Sequence, residues 1–146
     1  VTGRLASLGA DVLRDHLDDY LHDRLRPARQ MRTGAATAPR LTTAEARLDL
    51  ALPPTAFARA VRAFNPRPGA WLRAAGQRIK VFEVGPATPQ VTPGTIEIIN
   101  GRPILGLHQG SVELVEVQPA GKPPLSGRSW ANGLRDRELI VDEAPA

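Results

Sequence analysis

Histidine, aspartate and arginine are the residues whose types and spacing bear on chemistry in this chain. His16 and His22 lie six positions apart, and His108 stands alone. Neither their mutual spacing nor a nearby carboxylate makes a metal-ligand pattern, so each reads as structural or solvent-exposed. The acidic stretch DHLDDY, residues 15–20, could attract a cation, but carboxylates on a solvated helix face explain it better. A G-x-S-x-G elbow, a phosphate-binding loop and a dinucleotide fingerprint are all absent, as is cysteine. Nothing assembles a nucleophile, a base and an oxyanion site, so the chain by itself is expected to be inactive.

Charge is the stronger signal. The formal net charge is +4, but residues 31–100 carry eight arginines and one lysine against four acids. A basic middle third is the footprint expected of a phosphate-binding surface. The plainer alternative is a solvated arginine-rich face. The sequence contains no apolar run of the ~20 residues that a membrane span requires and no signal-peptide core. A cytoplasmic protein with no membrane partner is the expectation.

The elements that would position these charges begin with GRLASLGADVLRDHLDDYLHDRL, residues 3–25. Leu5, Leu8, Val12, Leu13, Leu17, Tyr20 and Leu21 recur at steps of three and four, which predicts an amphipathic helix. Such a stripe is stable only against a partner. Residues 27–41 hold scattered proline, glycine and threonine, and read as a linker, long by the standard of compact domains. A separate packing unit is expected over 42–141.

That unit opens with a helical pattern in which Thr42 and Glu45 stand as a capping box requires. Pro53 and Pro54 divide it into two helices, the second burying Phe57, Val61 and Phe64. NPRPGAW, residues 65–71, stops that helix, because Asn65 and Arg67 each precede a proline. Beyond Ala70 the pattern is β: AWLRA, RIKVFEV, GTIEII, PILGLH and SVELVEVQ, with a phase change between Leu114 and Val115 that predicts a bulge. SWANGLRDREL reads as a short helical turn capping the strands. The fold class expected is mainly β with helices (α+β): a small OB-like β-barrel of about five strands, preceded by the amphipathic helix and linker.

The order AATAPRLTTAEARLDL, RAVRAFNPRPGAW, RIKVFEV, PGTIEI, SVELVEVQPAGKPPL, WANG resembles the C-terminal domain of the methionyl-tRNA formyltransferase family, in register over nearly the whole chain. Residues 1–26 resemble the last helix of that family's Rossmann-like catalytic domain. Two positions depart from the family pattern: Arg67 stands where N-P-W-P-G-A is usual, and Leu50 where I-D-W is usual.

The resemblance implies that a formyl group moves from 10-formyltetrahydrofolate to the methionine of initiator Met-tRNA. The catalytic Asn, His and Asp, and the co-substrate, then belong to an N-terminal formyltransferase domain outside these residues, and no cofactor is expected in this chain. The barrel would position the tRNA through basic side chains. The candidates are Arg59, Arg62, Arg67, Arg73, Arg78 and Lys80, with Lys122 in the PAGKPP turn. The helix stripe would face the catalytic domain or, without it, fray, detach or meet a second copy. The alternatives are a formyltransferase barrel serving a small-molecule amine, such as a nucleotide sugar, hydroxyornithine or a carrier-bound amino acid, and a non-enzymatic nucleic-acid-binding module.

Overall fold

The first helix, α1 (Thr2–Leu21), follows from its three-and-four periodicity, and its acids and bases pair along the polar side. Arg14 reaches Asp11 at 3.1 Å and Asp15 at 3.2 Å, and Arg24 pairs with Asp18 and Asp19. The helix ends four residues short of the expected Leu25. Asp23 adopts a positive φ of 54°, and the N–H groups of Arg24 and Leu25 both turn back to the Asp19 carbonyl. The computed structural model describes residues 2–29, 33–34, 36–134 and 138–142. They fall into two compact units, Val1–Ala38 and Pro39–Ala146.

The second unit does not begin with a helix, contrary to the expectation over 42–52. The capping box forms nonetheless: Glu45 Oε2 accepts from the Thr42 N–H and hydroxyl, each at 2.7 Å. It closes a turn and not a helix. The reason lies in the next residues. Ala46, Leu48 and Leu50 are buried while Asp49 is exposed, a period of two. Leu48 N–H donates to the Trp71 carbonyl at 2.8 Å, and Trp71 N–H donates to Ala46 at 3.0 Å. The segment is used as a strand-like edge.

Helix α2 (Pro54–Phe64) forms where expected, with proline in its first turn; Phe57 and Val61 are fully buried, whereas Phe64, at its last turn, is only partly buried against the core. It stops at Asn65, which is extended (φ −90°, ψ 145°), as a residue before proline should be. Both Asn65–Pro66 and Arg67–Pro68 are cis. Gly69 has φ +97°, a conformation that favours glycine, and its N–H returns to the Phe64 carbonyl at 2.9 Å.

The strands are β1 (Trp71–Ala74), β2 (Gln77–Pro86), β3 (Thr95–Ile99), β4 (Arg102–Leu107), β5 (Gly110–Pro119), β6 (Leu125–Ser126) and β7 (Glu138–Ile140). The sheet order is β1-β2-β5-β4-β3-β7, antiparallel throughout, with β6 paired to β5. Among the described residues seven strands thus stand where about five are expected. The two additional ones are two and three residues long, and lie in or beside the stretch read as a helical tail. Part of that stretch is helix α3 (Gly127–Asn132), capped by Ser126 Oγ accepting from the Ser129 N–H. Residues 135–137 of the same stretch lie outside the described residues. After β7 the chain returns to β1: Ala74 bridges Val141, and Asp142 N–H donates to the Arg73 carbonyl at 2.8 Å. These contacts bring the sheet close to a closed barrel.

The bulge falls where the phase change predicts it. Val81 pairs with Val117 and Val84 with Leu114, so Phe82 on β2 and Val115 on β5 are each left over. Asn65 Nδ2 caps this irregularity, donating to the Val61 and Val81 carbonyls at 2.8 Å. The stop signal in NPRPG therefore also ties the end of α2 to the β2 bulge. Inside the barrel lie Leu72, Ile79, Val81, Ile96, Leu105, Leu107, Val112, Leu114 and Val117, closed by Phe57, Val61 and Trp130.

Candidate nucleic-acid interface

Alternation along β1 and β2 sorts their side chains. Leu72, Ala74, Ile79 and Val81 turn inward, which leaves Trp71, Arg73, Arg78 and Lys80 on the outer face. Register aligns them, with Trp71 opposite Lys80 and Arg73 opposite Arg78, and Lys80 also opposite Gln118 on β5.

Trp71 organises this face. Its indole Nε1 donates to the Thr43 carbonyl at 2.7 Å, and its backbone is bonded to Ala46 and Leu48. The Arg78 guanidinium lies 4.3 Å from the ring centroid and that of Arg47 5.4 Å. A rigid ring thus holds two cations by cation–π attraction. Arg47 also donates to the Asp142 carbonyl at 2.6 Å. Sequence reasoning missed Arg47 because EARLDL was read as helix. Its period-two alternation of Ala46, Leu48 and Leu50 was the signal that could have found it.

The expected basic residues divide. Arg78 and Lys80 line a cleft of about 230 Å³ with Gln118, Pro119, Ala120 and Gly121. Lys122 belongs to the turn bounding that cleft, and its carbonyl accepts from Gln118 Nε2 at 2.8 Å. Arg73 is on the same outer face but is partly committed, reaching Asp142 at 3.5 Å and the Gly76 carbonyl at 2.8 Å. Arg67 sits apart with Arg40, Leu41 and Pro68 in a second cleft of about 240 Å³. Arg59 and Arg62 are exposed on α2 and line neither of these two clefts. Among those residues, the ion pairs of the second unit are Arg73–Asp142 and Arg102–Glu113, so Arg59, Arg62, Arg67, Arg78, Lys80 and Lys122 have no carboxylate partner.

Other chemistry finds little here. No group of three His, Asp or Glu among the described residues could hold a metal ion, and no described helix is long and apolar enough to cross a membrane. The face can attract and orient anions.

This architecture is a known one. The family described as "Formyl transferase, C-terminal domain" matches residues 40–135. A methionyl-tRNA formyltransferase from Mycobacteroides abscessus is 37% identical over 134 residues, covering 91% of this chain and 44% of the relative. One from Thermobifida fusca is 38% identical over 145 residues, covering 96% and 46%. The chain therefore belongs to the formyl transferase C-terminal domain family, and it spans less than half the length of these relatives. Among solved structures, HypX from Aquifex aeolicus matches with a TM-score of 0.65 at 17% identity, over 84% of this chain and 23% of HypX. A complex of HypX with tetrahydrofolic acid matches at 0.63 and 18% identity, over 82% and 22%. That likeness is one of fold.

Proposed function

We propose that the barrel is the tRNA-positioning domain of a methionyl-tRNA formyltransferase. In this reading a Rossmann-like domain binds 10-formyltetrahydrofolate and carries the catalytic residues. Residues 1–26 are the terminal helix of that domain, and 27–41 the linker. The barrel holds the initiator Met-tRNA by its backbone while the formyl group moves elsewhere.

The observation that carries the reading is the set of cations beside Trp71 that have no carboxylate partner among the described residues, on a chain whose relatives bear the name methionyl-tRNA formyltransferase. Phosphate contacts position without reading sequence. Arg78, Lys80 and the Lys122 turn are placed to do so together, with Arg67, Arg59 and Arg62 as outlying contacts and Arg73 the least available. Few aromatic residues are present to stack bases, so recognition is by shape and charge.

The test is binding of this chain to methionylated initiator tRNA and to an unrelated RNA across a salt titration. Tighter binding to the initiator tRNA, falling linearly in log salt, is expected. Replacing Lys80 by Ala should reduce that slope by about 1. Absence of binding to either RNA at low salt would overturn the reading and favour a small-molecule amine acceptor. Equal binding to both would reduce it to a generic basic module.

A further inference from the structure

The cleft between β2 and the Pro119–Lys122 turn differs from the rest of the basic surface in being built. Its lining contains two cations, one amide and no carboxylate. By contrast, the larger groove of about 420 Å³ beside Leu48 and Leu72 is lined by Asp49 and Asp142 as well as Arg47. At about 230 Å³ the cleft is below the ~300–1,000 Å³ of sites that enclose drug-sized ligands.

Three contacts fix its donors. Trp71 holds the Arg78 guanidinium at 4.3 Å, and the ring is itself pinned by its bond to Thr43. Arg78 Nε is buried and has no hydrogen-bond partner among the described residues. The Lys80 stem runs past Gly69, where an added Cβ would lie 3.7 Å from both Lys80 Cδ and Cε. The opposite wall is equally ordered: Ala120 N–H donates to the Arg78 carbonyl at 3.1 Å, Lys122 N–H to Pro119 at 3.1 Å, and Gln118 Nε2 to Lys122. The Arg40–Arg67 cleft offers two guanidiniums, but no hydrogen bond or ring among the described residues orients them.

We propose that this cleft is a discrete phosphate seat, in which Arg78 and Lys80 grip one phosphate group and Trp71 holds the Arg78 fork ready for it. A planar fork matches two phosphate oxygens, and a preset one loses less freedom on binding. The phosphate chemistry stands on the cleft alone. That the phosphate is a phosphodiester of tRNA rests on the function proposed above.

The experiment is a titration of the isotopically labelled chain with inorganic phosphate at constant ionic strength, following arginine Nε–H and tryptophan Nε1–H resonances. A saturable shift is expected at Arg78 Nε–H and at Trp71, with Arg102, which is paired with Glu113, unmoved. Arg78→Lys, which keeps the charge and loses the fork and the stack, should weaken phosphate binding on the order of tenfold. Lys80→Ala should also weaken it, and Arg102→Lys, at the arginine paired with Glu113, should not. Shifts that are equal at all arginines and never saturate would overturn the seat. A parallel titration with initiator tRNA separates the two claims. Saturation by phosphate without tRNA binding keeps the seat and ends the tRNA reading; tRNA binding without phosphate saturation does the reverse.

Discussion

Helices α1 and α2 carry the same kind of pattern and meet opposite fates. Both repeat apolar residues at three and four. In α2 the stripe disappears into the barrel, with Phe57 and Val61 essentially inaccessible. In α1 it remains in the open: Leu5, Leu13 and Leu21 are each more than 60% exposed. An amphipathic pattern states that a partner is required. It does not state where the partner is, and propensity alone does not supply the stability.

The largest expected effect follows from that contrast. Phe57→Ala should destabilise the barrel by about 3–5 kcal/mol, read as a shift in the denaturant midpoint of Trp130 fluorescence. Leu13→Ala in the same chain should stay within about 0.5 kcal/mol, because nothing is emptied. Equal effects would break the comparison. The proposal that α1 closes a Rossmann-like domain sharpens it: with such a domain attached, Leu13→Ala should cost about 2–5 kcal/mol.

A third helix shows what seating demands of the backbone. Helix α3 approaches β5 so closely that a Cβ on Gly127 would fall 1.8 Å from the Leu114 carbonyl oxygen. Gly127→Ala must push α3 off the sheet, at a cost of about 1–3 kcal/mol or more, and the burial of Trp130 should fall with it. Gly133→Ala, whose nearest such contact is 3.5 Å, is the control and should be tolerated sterically.

The end of α2 offers a smaller lever. Asn65→Ala removes the donor shared by the Val61 and Val81 carbonyls at the bulge. Leaving such groups unmet costs about 1–3 kcal/mol. The loss should appear as faster amide exchange in β2 near Phe82, whereas substitution of Arg59 on the solvent side of α2 should leave exchange there unchanged.

These helices also show how much of the molecule was legible beforehand. The barrel, the bulge at Leu114–Val115, and α2 with its abrupt stop were readable because local pattern and tertiary use agree there. The segment 42–52 was misread because they disagree. Thr42 and Glu45 form a complete box and start no helix. Helix α2 has no side-chain cap at Pro53, yet it forms because its face is buried. Local chemistry was overruled by the pairing of Ala46 and Leu48 with Trp71, a partner more than 20 residues away. The candidate interface suffered from the same cause. Charge points to residues 31–100 as a whole, but the placement of Arg47 and Arg78 about the Trp71 ring depends on that long-range pairing.

The Thr42–Glu45 turn gives the smallest and most local test. Hydrogen bonds from the Thr42 backbone N–H, and then from its hydroxyl, hold the Glu45 carboxyl below its usual pKa. A carboxylate whose pKa is lowered on folding contributes stability that is complete above its unfolded value, and that is lost as pH falls through the lowered one. The group is fully solvent-exposed, so the effect on global unfolding should be slight. It should be visible locally instead: the Thr42 amide resonance should move with acid in step with the Glu45 carboxyl. Glu45→Gln should abolish that movement and leave the midpoint of the barrel nearly unchanged. A large loss of stability in Glu45→Gln would mean that the turn helps to hold the Ala46–Leu48 edge against Trp71. A capping box without a helix would then be supporting the cation-binding ring itself.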